Sequence, residues 1–291
     1  MTKELVVAGL CDGASLALLA VAFYLAYSLA RTFHVALAGI YALAPFVAWA
    51  LSQRGVSLAT SAFIATIIGG LVSMLCEILN HGPLRRRQAS AEAHLLSSLG
   101  LYVVIVQILL IAWGPEARVL RTGLEPSYVL GGLNLRRTQA VTLSTTLLSL
   151  LPFWLCLRMT RLGLVLRAFR DSPTELALVG FNTTSIRRFL FALAGLYCAL
   201  AALVASLDGG FQAHYGFPSL LLAVVATLSV RRDSILGPVV GGFALGLLRT
   251  FCAWGLGARW EDTLSYTLFA GALLLQKSHT SRVTAQSRPI P

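Results

Sequence analysis

The chain has 291 residues, of which 57% are hydrophobic and only 12% charged, with a formal net charge of +11. A mean hydropathy of +0.77 excludes an ordinary water-soluble domain, in which about a quarter of residues carry charge. The positive balance does not mark a nucleic-acid binder: Arg and Lys fall between apolar runs, not along a basic stripe interleaved with aromatics.

Nine apolar segments are predicted, at about 5–30, 35–51, 58–79, 93–113, 139–157, 189–207, 217–230, 235–252 and 263–276. Segments of this length cross a hydrocarbon core about 30 Å thick as helices. Lipid offers no partner for backbone polar groups, so the serial runs imply a helical bundle. The expected fold is an all-α integral membrane protein with 8–9 transmembrane segments. One domain covers 1–277, and a basic, disordered tail covers 278–291.

The first segment holds Gly9 and Gly13, a small-residue pair one turn apart that lets another helix approach closely. It also holds Asp12. An acid inside a membrane segment needs a reason, and two fit: a partner for a substrate ammonium or packed helix, or snorkelling to the outer interface. Because Asp12 interrupts the run, the N-terminus does not read as a cleavable signal peptide. The third segment ends at Glu77, which is expected to pair locally with Arg85–Arg87. Turn pairs mark the long loop at 114–138. A basic stretch at 158–188 follows the fifth segment. The seventh is short for a crossing and fits a re-entrant or broken helix. Gly237, Gly241, Gly242 and Gly246 repeat the close-packing pattern in the eighth.

Arg and Lys counts set the orientation. Fifteen basic residues fall on the side holding Arg31, Arg85–Arg87, 158–188, Arg231, Arg232 and the tail, against seven on the other side. That places the N-terminus outside and the C-terminus in the cytoplasm. The five cysteines, Cys11, Cys76, Cys156, Cys198 and Cys252, share no metal-type spacing and read as small buried hydrophobes. The five histidines, His34, His81, His94, His214 and His279, read as interfacial polar residues. No nucleophile elbow, metal-ligand pair or phosphate-binding loop is visible, so an enzyme is not expected, nor is a resident metal or cofactor.

Between about 77 and 196 the pieces follow one another in a recognisable order. Glu77-Ile-Leu-Asn-His-Gly-Pro-Leu-Arg85 is followed by a helix with Gly100 and Gln107, then by Leu130–Leu133 with its central Gly-Gly. Thr160-Arg-Leu-Gly163 and Arg167-Ala168 lead into Asp171-Ser-Pro-Thr-Glu-Leu-Ala-Leu-Val-Gly-Phe-Asn182. This series resembles the permease subunits of branched-chain amino-acid ABC importers, and the resemblance covers most of the chain. Two departures stand out: His34-Val-Ala-Leu-Ala38, where the family has an Asn-Phe-Ala-His-Gly element, and Arg231, Arg232 and Asp233, where it has small residues.

The resemblance implies a function and a set of partners. The chain would be half of a translocation pathway in the bacterial inner membrane, carrying branched-chain or related amino acids. It would work with ABC ATPase subunits, a second permease subunit (identical or not) and a periplasmic solute-binding protein, with ATP bound by the ATPase. Residues 167–182 would be the segment that docks on the ATPase, through Arg167, Arg170, Asp171, Glu175, Ala177 and Gly180. Ala177 and Gly180 allow close approach, and the arginines offer fixed charges. For the solute pathway the sequence offers Asp12 and Gln107. A secondary transporter working without an ATPase is the alternative, and it predicts paired broken helices and mid-depth carboxylates.

Overall fold

The computed structural model describes residues 2–120, 127–130, 133–228 and 236–257, with Trp260, Thr263, Tyr266 and Thr267 beyond them. Its helices are α1 (Thr2–Tyr24, continued by a wider π-helical turn at Leu25–Leu29), α2 (Leu37–Gln53), α3 (Leu58–Cys76, continued by a π-helical turn at Glu77–His81) and α4 (Gly82–Arg86). There follow α5 (Ala91–Trp113), α6 (Arg137–Met159), α7 (Arg161–Asp171), α8 (Pro173–Leu178), α9 (Thr183–Asp208), α10 (Gly216–Leu228) and α11 (Leu236–Leu256).

Six helices are long and apolar enough to cross a membrane, and two shorter apolar ones cover Leu37–Gln53 and Ala213–Leu228. The expected ninth segment, 263–276, lies almost wholly outside the described residues, as do the tail and Arg231–Asp233. An all-α reading missed one feature. Strands β1 (Ser127–Leu130) and β2 (Leu133–Arg136) pair antiparallel, with Ser127 opposite Arg136 and Leu130 opposite Leu133.

Polar residues set several helix starts. The hydroxyls of Ser57, Ser90, Thr160 and Ser172 and the Asn182 carboxamide oxygen each accept a backbone N–H from the first turn of the helix that follows. Each satisfies one of the donors a helix leaves orphaned at its N-terminus.

Helices α1 and α9 form the centre. About two-thirds of the apolar window of α9 and 61% of that of α1 are buried, against 17% for α5, α6 and α11. Small residues make this possible. Gly246 meets the backbone of Gly13, and Gly242 meets Ala17, so α1 and α11 run antiparallel in near-contact. Gly69 and Gly195 bring α3 and α9 together in the same way. In lipid, where apolar burial gives little drive, such approach is what van der Waals packing requires.

Helix α10 has 13 residues, about 20 Å at 1.5 Å per residue, so it is too short to cross alone. The stretch before it is irregular but packed: Phe211 is buried against Phe46 and exchanges both backbone hydrogen bonds with Arg118. Among the described residues the seventh segment is therefore a helix about two-thirds of the length a crossing needs, entered through a folded loop.

Candidate functional site

Three constellations hold the residues with chemical potential. The first is the surface formed by α7 and α8. Helix α7 is strongly amphipathic by sequence: Leu166 and Phe169 are buried in the main core while Leu162 and Leu164 face outward. Gly163 packs against the backbone of Leu157, where a Cβ has no room. Helix α8 is capped by Ser172, whose hydroxyl accepts from Glu175 N at 3.3 Å, and two residues past its end Gly180 has a φ of +95° that strains any residue with a side chain. Leu176 anchors α8 inside, leaving Leu178 84% and Val179 76% exposed.

Arg167, Asp171, Glu175, Ala177 and Gly180 all lie on this exposed surface, and Arg170 is half-buried beside them. Arg170 pairs with Asp171 at 3.0 Å. Arg31, at the end of α1 with φ of +51°, donates to the carbonyls of Arg170 at 3.0 Å and Asp171 at 3.3 Å. The surface segment is thus tied to the central helix of the bundle.

Just inside lies a buried charged cluster. The expected local pair is present, with Arg85 donating to Glu77 Oε1 at 2.7 Å. Sequence reasoning missed the second cation: Arg187, at the start of α9, places Nε 3.0 Å from the same oxygen and also donates to Thr32. The Nε contact is one of charge, since its hydrogen does not point at the carboxylate. Glu77 is 1% exposed, and among the described residues its Oε2 finds no donor.

The interfacial reading of the histidines is overturned for two of them. His34 and His81 are fully buried, His94 is half-buried and His214 exposed, and His279 lies outside the described residues. His34 Nδ1 lies 3.1 Å from His81 Nε2, and His81 Nδ1 lies 3.1 Å from His94 Nδ1, forming a chain of three rings. Ser98 bridges His34 and the Ala36 N–H, and Ser73 lies 3.5 Å from His34 Nε2. The departure at 34–38 is therefore where the chain places a buried imidazole. Burial, and then the neighbouring His81, hold the His34 pKa well below the ordinary imidazole value. Among the described residues no group of three His, Cys, Asp or Glu has metal-binding geometry. Cys11, Cys76 and Cys198 are buried, while Cys156 and Cys252 are half-exposed.

The third constellation is a polar cleft of about 210 Å³ bounded by α1, α2, α9, α10 and α11. Asp12 and Arg249 both line it, with Ser15, Tyr41, Gln212 and Tyr215 among the polar groups. Asp12 lies about 15 Å along α1 from Thr2 at 1.5 Å per residue and accepts from Thr250 Oγ1 at 3.0 Å. Pro45, whose missing N–H breaks the α2 ladder, also faces the cleft. The two residues singled out for a pathway are not brought together. Gln107 lies on the exposed face of α5, beside Val104 and Ile108, and does not line this cleft.

The family model described as "Branched-chain amino acid transport system / permease component" matches residues 5–275. The chain belongs to this family. It is 23% identical over 282 residues to the high-affinity branched-chain amino acid transport system permease protein LivH of Salmonella typhimurium, covering 92% of this chain and 91% of that protein. Against the corresponding BraD of Pseudomonas aeruginosa it is 23% identical over 283 residues, covering 92% of each. Among solved structures, a chain from "PsaBC from Streptococcus pneumoniae in complex with Fab" superposes with a TM-score of 0.51 at 12% identity, covering 93% of this chain and 90% of that one. That likeness concerns the fold alone. The protein is a multi-pass membrane permease of a transport family, not a member of an enzyme family.

Proposed function

We propose that this permease is one of the membrane subunits of an ABC importer in the bacterial inner membrane and carries branched-chain or related amino acids. One observation carries the reading: α7 and α8 present a rigid, capped surface of exposed apolar and charged residues beside the Arg-rich end of the bundle. A lipid-exposed loop would not need Leu166, Phe169 and Leu176 buried beneath it. Arg167, Arg170, Asp171, Glu175, Ala177 and Gly180 then form the docking surface for an ATPase subunit, which binds the ATP. Closure of two such ATPases moves α7 and α8. Arg31 passes that movement to α1, and the Glu77–Arg85–Arg187 cluster to α3 and α9. A second permease subunit and a periplasmic solute-binding protein complete the importer. The Arg-rich end faces the cytoplasm, with the N-terminus outside.

Affinity capture of the tagged protein from mildly solubilised native membranes, followed by mass spectrometry, tests this. ATPase subunits are expected in the eluate, and they are lost when residues 167–182 are scrambled in a correctly inserted variant. Full activity of the purified chain in vesicles without any ATPase would instead establish a secondary transporter.

A further inference from the structure

A hollow of about 340 Å³ lies where the π-helical turn at Glu77–His81 and α4 meet the first turn of α9. Its size falls within the ~300–1,000 Å³ of pockets that hold small ligands. Glu77, Arg85, Arg86, Thr184 and Arg188 supply its polar lining. The Glu77 carboxylate is already matched, with Arg85 at 2.7 Å and Arg187 at 3.0 Å. Arg86 and Arg188 are exposed, and among the described residues neither has an ion-pair or hydrogen-bond partner. Two guanidinium charges therefore line the hollow with no protein anion to answer them. The backbone adds to this. The Asn182 carboxamide caps only the Ser185 N–H, so the amides of Thr183 and Thr184 stand ahead of the α9 ladder. The positive end of a 26-residue helix thus borders the hollow through Thr184. Such a lining suits an anion with several oxygens, and guanidinium forks match phosphate in particular.

The place of the hollow says which phosphate. It sits at the ends of two apolar spans, Leu58–Arg86 and Thr183–Asp208, which is the depth of lipid headgroups. An apolar stripe leads to it along the outer face of α3: Phe63, Ile67, Leu71, Leu75 and Leu79 recur every fourth residue and are 41–73% exposed. On α9, Phe189 is exposed beside Arg188. A free phosphate has no use for that stripe, whereas a lipid lays its acyl chains along it. Basic pockets between membrane helices hold anionic headgroups for this reason. A zwitterionic headgroup would bring its own cation to the two unanswered arginines, so an anionic lipid is favoured.

We infer that the hollow between α4 and α9 binds the phosphodiester of an anionic phospholipid. Arg86 and Arg188 are its main ligands, the Thr184 hydroxyl donates a further hydrogen bond, and the acyl chains run along α3. The inference needs only a membrane-embedded chain and does not rest on the importer reading.

Delipidated full-length protein in detergent is titrated with palmitoyl-oleoyl phosphatidylglycerol, or with phosphatidylcholine of the same chains. Bound lipid is counted by native mass spectrometry. One saturable phosphatidylglycerol adduct is expected, at concentrations about fivefold or more below those that phosphatidylcholine needs. Arg86→Gln/Arg188→Gln should weaken it about tenfold or more, and Arg86→Lys/Arg188→Lys should recover most of the affinity. Arg87 is also exposed but does not line the hollow. Arg87→Gln should therefore bind the lipid like the parent, which separates a site from diffuse positive charge. Inorganic phosphate and glycerophosphoglycerol lack acyl chains and should fail to displace the lipid even at roughly hundredfold excess.

Because Arg86 and Arg188 are exposed, their substitution leaves the buried Glu77 pairs in place, and the wild-type lipid preference needs no variant. The inference is overturned if phosphatidylglycerol is not preferred, if the double glutamine variant binds it like the parent, or if Arg87→Gln loses as much. It is overturned too if inorganic phosphate displaces the lipid, which would mark a site for a free anion. A double variant that keeps its lipid but loses ATPase subunits on affinity capture would also overturn it, by assigning the hollow to the ATPase surface.

Discussion

Replacing Glu77 by Gln tests the electrostatic core of the structure most directly. The side chain is 2% exposed and faces two guanidinium groups: Arg187, which is 13% exposed, and Arg85, which is 37% exposed. Gln keeps the shape and removes the charge. Arg85 can turn to solvent, so its loss of a partner costs little, about 0–1 kcal/mol as for surface pairs. Arg187 cannot, because Thr32 and Phe191 hold it inside. Stranding a buried charge in this way costs about 3–5 kcal/mol. Unfolding of the detergent-solubilised protein by denaturant, followed by tryptophan fluorescence, should show Glu77→Gln strongly destabilised, because Arg187 is then stranded. Arg85→Gln and Arg187→Gln should be destabilised as well, because each leaves the buried Glu77 carboxylate with a single cation. The double variant Glu77→Gln/Arg187→Gln should lose less than the sum of the singles, by about 1–3 kcal/mol. If Glu77→Gln is as stable as the parent, the burial argument is wrong.

Gly246→Leu should disrupt the α1–α11 contact, since a Cβ there falls on the backbone of Gly13; a loss of about 1–3 kcal/mol or more is expected from overpacking. Gly255→Leu in the same helix, where nothing lies within 4 Å, is the control and should unfold like the parent. His34 contributes an acid sensitivity. Its folded pKa is depressed, so the unfolded chain takes up the proton first, and stability falls as pH drops below about 6.5. The slope from this group is at most about 1.4 kcal/mol per pH unit. In folded His34→Gln the measured slope should shrink by up to that amount, not vanish, when denaturant midpoints are compared across pH, because His81 and His94 remain in the ring chain. In a cysteine-free background, a membrane-impermeant maleimide should label Leu178→Cys only in inside-out vesicles and Arg54→Cys only in right-side-out ones. The reverse pattern would invert the proposed orientation.

Much of this protein follows from the chain as written. Apolar runs separated by arginines dictate a helical bundle, because backbone polar groups have no other partner in lipid. The glycine spacing in the first and eighth segments announced close helix contacts, and the structure puts those two segments against each other. The order of motifs from 77 to 182 was enough to recognise the family. Local rules succeed here because spans, caps and small-residue stripes act over a few residues.

What the tertiary structure decided depends on residues far apart in sequence. His34, His81 and His94 read as three separate interfacial residues until the turn after α1 and the π-helical end of α3 placed them in one chain. Glu77 looked like half of a local pair, and only the packing of α9 against α3 added Arg187. Gln107 and Asp12 looked alike as isolated polar residues, yet helix rotation sends one to the outer face of α5 and the other into a cleft with Arg249, 237 positions further along the chain. Hydropathy fixes where a helix begins and ends. Its rotation and its neighbours are set by which small residues let which backbones touch, and a single sequence carries that information only in pairs.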